Sequence, residues 1–121
     1  MSSILVIDDN IESLELMRFL LQSFGYDVRV AQSGEEGLSL AASSRPDLII
    51  CDIHMPVLDG FGVIARVRAD PAMRSIPCIA VTALAMVGDE TKILGAGFDG
   101  YISKPIDPEK FIKEIKNYFV K

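Results

Sequence analysis

Apolar residues follow two rhythms along this chain. Ile4-Leu5-Val6-Ile7, Leu48-Ile49-Ile50-Cys51 and Cys78-Ile79-Ala80-Val81 are short unbroken runs. They are too apolar to alternate and read as strands buried on both faces, as inside a parallel sheet. Asp27-Val28-Arg29-Val30-Ala31 alternates, and Gly100-Tyr101-Ile102-Ser103 is short and mixed, so both read as edge strands. Between the strands the spacing becomes helical. Ile11, Leu14, Met17, Leu20, Leu21 and Phe24 share one helix ended by Gly25, and Ser33-Gly34-Glu35-Glu36 is a capping pattern opening a second that runs to about Ala42. Val63, Ile64 and Val67 line a third, between Asp59-Gly60 and Asp70-Pro71. A weaker fourth runs from about Gly88 to Leu94, closed by Gly95 or Gly97, and Asp107-Pro108 caps a fifth lined by Phe111, Ile112, Ile115 and Phe119.

Five repeats of strand then helix predict an α/β fold, a doubly wound five-stranded parallel sheet with helices on both faces, in one domain over residues 1–121. With the three apolar strands placed in the middle, the order is 2-1-3-4-5 and the switch point falls between the first and third strands.

Ligands bind such sheets at the carboxyl ends of the strands, and the polar residues of this chain gather there. Asp8-Asp9 follow the first strand, Asp52 ends the third, Thr82 ends the fourth, and Lys104-Pro105 follows the fifth. Asp9 or Asn10 would also serve as cap of the first helix, and Glu12 completes a capping box with Asp9. That explains one acid of the pair and not the other. Three carboxylates in one crevice repel, at about 4 kcal/mol for two charges roughly 4 Å apart and an effective dielectric near 20. They call for a cation, and an all-oxygen set suits Mg²⁺, with Mn²⁺ as a substitute. Lys104 and Thr82 add a positive charge and a hydroxyl that can hold phosphoryl oxygens. A carboxylate beside a divalent ion is equipped to accept a phosphoryl group as an acyl phosphate.

Composition narrows the partners. The 121 residues carry a net charge of −5, with a pI near 4.7, which argues against a nucleic-acid footprint. No stretch approaches the roughly 20 apolar residues of a membrane span. Cys51 and Cys78 sit inside apolar runs at a spacing that suits neither zinc nor a disulfide framework. They read as buried free thiols of a cytoplasmic protein.

With these residues in place, the chain resembles the receiver domain of bacterial two-component response regulators along essentially its whole length, which implies the flavodoxin-like receiver fold. Asp8-Asp9 resembles the acidic pair of that family, Asp52 its phosphoacceptor, Thr82 its switch hydroxyl and Tyr101 its switch aromatic. Lys104-Pro105 resembles its lysine and cis proline, and Met55-Pro56 with Asp59-Gly60 its loop after the phosphoacceptor. The resemblance implies that a sensor histidine kinase or histidine phosphotransfer protein presents a phosphohistidine to Asp52. It implies Mg²⁺ held by Asp9, Asp52 and the backbone carbonyl of His54, with Asp8 acting through water. It implies that Thr82 and Lys104 contact the new phosphoryl group, that Tyr101 turns inward, and that the surface of the fourth helix, fifth strand and fifth helix changes toward a downstream protein target. His54, the only histidine, lies where side chains of the family influence phosphoryl lifetime.

Other readings are weaker. A phosphorylation-independent interaction module does not need the complete set of acids, hydroxyl and lysine. A magnesium-dependent aspartyl-phosphate phosphohydrolase would carry a second aspartate two residues after its nucleophile, where this chain has His54. No glycine-rich loop with Lys and Ser or Thr marks a nucleoside triphosphatase. The expectation is therefore no enzyme beyond its own phosphorylation and dephosphorylation. A chain closing after the fifth helix reads as a single-domain regulator or phosphorelay intermediate, with a fragment of a longer regulator or kinase as the alternative.

Overall fold

The parallel ladder starts where unbroken apolar runs can be covered on both sides. The structure, a computed structural model, describes residues 2–83 and 89–119. Its elements are β1 (Ser3–Ile7), α1 (Ile11–Ser23), β2 (Asp27–Ala31), α2 (Gly34–Ser44), β3 (Leu48–Asp52), α3 (Gly60–Ala69), β4 (Cys78–Thr82), α4 (Asp89–Gly95), β5 (Gly100–Ser103) and α5 (Pro108–Lys116). All four strand pairings are parallel and the order is β2-β1-β3-β4-β5, as the hydrophobic pattern predicts.

Strand periodicity divides the core in two. Ile4, Val6, Leu48, Ile50, Ile79 and Val81 face α1 and α5, meeting Leu14, Met17, Leu21, Phe111 and Ile115. Leu5, Ile7, Ile49, Cys51, Cys78 and Ala80 face the other way, meeting Ala41 of α2, Val63, Ile64 and Val67 of α3 and Ile93 of α4. Successive side chains of one strand thus enter opposite layers, which is why the central runs cannot alternate with polar residues. β2 and β5 keep only partial burial, as edge strands do.

Helix ends refine the sequence reading. Asn10, not Asp9, caps α1, its side-chain oxygen accepting from the Ser13 amide at 2.9 Å. Asp9 is thereby released from a capping role. Ser33 caps α2 as expected, but Glu36 reaches back to the amide of Gln32, one residue beyond the cap. α2 continues to Ser44, two residues past Ala42. The predicted start of the fourth helix at Gly88 lies outside the described residues. Gly95 is the last residue of α4, and the positive φ, +119°, falls at Gly97. Ile11 and Phe24, which share the helical spacing of α1, are more than half exposed, and Phe119 lies past the end of α5, its ring tilted against that of Tyr26.

At the amino edge of the sheet, away from the strand ends that carry the acids, Arg68 of α3 ties the α3–β4 and α4–β5 loops together. Its guanidinium donates to the carbonyls of Arg74 and Ile76 at 2.8 Å, to that of Gly97 at 2.9 Å and to Asp99 Oδ2 at 3.0 Å. Asp99 Oδ2 also accepts from the Cys78 amide at 2.8 Å. Removing the fork leaves partly buried carbonyls without a donor, so Arg68→Ala is expected to cost about 2 kcal/mol. The urea midpoint, at unchanged slope, measures it.

Candidate functional site

Every polar group singled out in the sequence arrives at the carboxyl edge of the sheet by strand register. Asp8 follows β1, its amide donating to the Ala31 carbonyl of β2 at 3.0 Å. Asp52 is the last residue of β3, Thr82 the last of β4, and the Lys104 amide donates to the Thr82 carbonyl at 2.8 Å just past β5. The Lys104–Pro105 peptide is cis.

Asp8, Asp9 and Asp52 each bring a carboxylate oxygen within 4.8 Å of the others, with Asp9 exposed and Asp8 and Asp52 buried. The Lys104 ammonium lies 3.1 Å from Asp8 Oδ2 and 3.6 Å from Asp52 Oδ2. The His54 amide donates to Asp52 Oδ1 at 3.4 Å, and the Asn10 amide to Asp8 Oδ1 at 2.9 Å. Asp8 Oδ2 has no hydrogen bond, although its residue is fully buried.

This electrostatic balance is incomplete. Burial first, and then the charge of Asp8, push the Asp52 carboxyl up to about 6, against the opposing pull of Lys104 and the His54 amide. One ammonium against three carboxylates leaves excess negative charge at the crevice mouth. The buried oxygen of Asp8, ion-paired to Lys104 but without a hydrogen bond, the hard-oxygen donor set and the exposed Asp9 all suit a divalent cation.

The remaining residues sit around this centre. His54 is exposed and, with Ile53, Phe61, Thr82, Asp89, Lys92 and Ile93, lines a cavity of about 90 Å³. Lys92 lies over the Phe61 ring at 5.1 Å from its centre. Tyr101 is half-buried on β5, packed against the layer that includes α4.

Two features escape a sequence reading. The Lys104 ion pair is closer to Asp8 than to Asp52, a preference that strand-end position alone does not rank. Gly60 lies directly against Asp52: a Cβ there would meet Ile53 Cα at 2.7 Å and the Asp52 carbonyl oxygen at 2.8 Å. Asp59-Gly60 signals a helix start, yet only the folded loop reveals that close backbone approach.

The chain belongs to the response regulator receiver domain family, whose model matches residues 4–116. Among its relatives it is similar to the polar-differentiation response regulator DivK of Brucella anthropi, 43% identical over 116 residues covering 96% of this chain and 94% of that protein. In structure it is similar to the chemotaxis protein CheY4 of Vibrio cholerae, with a TM-score of 0.92, 30% identity and 98% of each chain covered. It is also similar to a putative response regulator from Chloroflexus aurantiacus, with a TM-score of 0.92, 32% identity, 99% of this chain and 98% of that one. Receiver domains of response regulators interact with kinases and with downstream targets, and that is the class of activity to which this site belongs. No helix among the described residues is long and apolar enough to cross a membrane.

Proposed function

We propose that this receiver accepts a phosphoryl group onto Asp52 from the phosphohistidine of a sensor histidine kinase or histidine phosphotransfer protein, and that the product state changes a protein-binding surface. The observation that carries the reading is the Asp8–Lys104–Asp52 constellation: a buried carboxylate with a raised pKa, an ammonium 3.6 Å away and a second buried acid paired with the same ammonium at 3.1 Å. Above pH 6 Asp52 is ionised and nucleophilic. An oxygen of Asp52 attacks phosphorus in line, the P–N bond breaks, its electron pair returns to the imidazole nitrogen, and an acyl phosphate remains on the chain.

Asp9, Asp52 and the His54 backbone carbonyl would hold Mg²⁺ at this site, with Asp8 acting through water. When bound, the ion supplies positive charge to the carboxylates and the transferring phosphoryl oxygens. Lys104 neutralises the oxygens from the other side, and Thr82 offers its hydroxyl to the product. Lys104 and Pro105 follow the end of β5, beside Thr82. Thr82 moving toward the phosphoryl group and Tyr101 turning inward would alter the face of α4, β5 and α5, through which a downstream protein is engaged. The domain turns over no external substrate, and its place is the cytoplasm, a reading supported by two buried free thiols.

Intact mass after incubation with acetyl phosphate and Mg²⁺ tests the chemistry. The native chain is expected to gain about one phosphoryl group, and Asp52→Asn or a chelator to abolish the gain. An unmodified native chain would leave a phosphorylation-independent interaction module as the better reading.

A further inference from the structure

α1 is apolar around more of its circumference than the fold covers. Leu14, Met17 and Leu21 enter the core beneath it. Leu16, Leu20 and Phe24 form a second stripe at intervals of four residues, with Phe19 beside it, and residues so spaced share a face. Leu20 is half-buried, but Leu16, Phe19 and Phe24 are exposed. They are three of the six large apolar side chains exposed among the described residues, so the exposure is concentrated here. α5 extends the face: its Pro108, Ile112, Lys113 and Lys116 line an open groove of about 400 Å³ with Leu20 and Phe24. An apolar patch with a charged rim marks a protein-binding surface.

The charges of the rim indicate what binds. α1 and α5 both start at the carboxyl edge of the sheet, and their far ends meet, the Lys116 ammonium lying over the Phe24 ring at 4.7 Å from its centre. Glu12 lies in the first turn of α1 and Glu109 in the first turn of α5, whereas Lys113 and Lys116 occupy the last turn of α5. The face is therefore acidic at one end, basic at the other and apolar between. Glu15 and Arg18 of α1 pair with each other, and no ion pair among the described residues engages Glu12, Glu109, Lys113 or Lys116. Turned by half a revolution, such a face complements itself.

We propose that this face joins two copies of the chain in a two-fold dimer, with α1 of one copy antiparallel to α1 of the other. Phe19 meets its own counterpart near the axis, Leu16, Leu20 and Phe24 close around the pair, and Glu12 of each copy faces Lys113 and Lys116 of its partner. A different protein would need the reversed charges at the same spacing. A second copy carries them by symmetry. The face is about 20 Å long and two helices, or roughly 20 Å, across, a footprint on the order of 400 Å² per copy. A standard stable interface covers about twice that, so the dimer is weak and reversible, half-formed at roughly 100 µM. The groove on the other side of α5, lined by Tyr101, Lys110 and Glu114, stays open in both copies.

Sedimentation equilibrium of the full chain from about 10 µM to about 1 mM tests the proposal. The mass is expected to rise with concentration from 13.2 kDa toward that of a dimer and no further. Phe19→Ser is expected to raise the dissociation constant more than about tenfold. Because the ring is exposed, this variant is expected to keep the native melting temperature and the native labelling by acetyl phosphate. Glu12→Lys alone, or Lys113→Glu together with Lys116→Glu, is expected to weaken the dimer about fivefold, and the three substitutions combined to bring it back within about twofold of the native chain. A chain still monomeric at the highest concentration would overturn the proposal and leave the face to a different protein. A dimer that Phe19→Ser leaves intact, or a combined variant no tighter than its two parents, would overturn it as well.

Discussion

Asp52→Asn, the substitution that removes the proposed phosphoacceptor, is expected to make the metal-free protein more stable at pH 7. The native carboxyl is buried and faces Asp8, and its pKa of about 6 lies well above the value of 3.8 it has when unperturbed. Two units of upward shift correspond to about 3 kcal/mol of unfavourable free energy once the group is ionised. Asparagine keeps the volume and an oxygen for the His54 amide while removing the charge. A gain of about 1–3 kcal/mol is therefore expected at pH 7. The pH dependence fixes the origin. Between about pH 4 and 6 the native state holds a proton that the unfolded chain releases, so its stability falls as pH rises through that window and the penalty is complete above it. The variant lacks this fall, and its advantage vanishes below pH 4. Thermal melts of both proteins in a chelator, at pH 4 and pH 7, measure it. A variant less stable than the native chain at pH 7, or an advantage equal at both pH values, would contradict the account. Added Mg²⁺ is expected to shrink the gap by neutralising the native carboxylates.

The same residue illustrates what the sequence can and cannot disclose. That Asp52 ends a central strand follows from the apolar run before it, because strand periodicity makes a doubly covered strand visible as an unbroken run and places its first polar residue at the edge. The order β2-β1-β3-β4-β5 is legible for the same reason: the mixed strands, with Asp27, Arg29 and Ser103, can only be edges. Local ambiguity survives where two residues can perform one task. Asp9 and Asn10 are equally good caps by type, and only the path of the chain into α1 selects Asn10. Energies between groups distant in sequence are not legible at all. The preference of Lys104 for Asp8 depends on sub-ångström placement of three side chains, and the close approach of Gly60 to Asp52 on a loop closure that Asp59-Gly60 does not announce. The sequence discloses which groups meet, and the structure which of them are unsatisfied.

Lys104→Met is expected to cost more stability than any other single change argued at this site. Methionine keeps most of the aliphatic stem but removes the ammonium 3.1 Å from a fully buried carboxylate oxygen of Asp8 that has no hydrogen bond. Breaking one side of a buried ion pair costs about 3–5 kcal/mol. Here protonation limits the loss, because Asp52 already takes up a proton near pH 6 and does so more readily without the lysine. In a chelator the variant is accordingly expected to lose about 3 kcal/mol at pH 8 and markedly less at pH 5. Mg²⁺ is expected to raise its melting temperature more than that of the native chain, since the cation takes over part of the neutralisation. The chemistry does not recover with the stability: labelling by acetyl phosphate should remain slower by about a hundredfold, because the charge facing the transferring oxygens is gone. Lys104→Arg separates charge from placement, restoring most of the stability while its broad planar fork still misplaces the charge for transfer. Melts across pH with and without Mg²⁺, paired with labelling rates at saturating Mg²⁺, measure both effects. If Lys104→Met were as stable as the native chain at pH 8, the ion pair would contribute nothing to the fold. If it labelled at the native rate, Lys104 would have no part in the transfer.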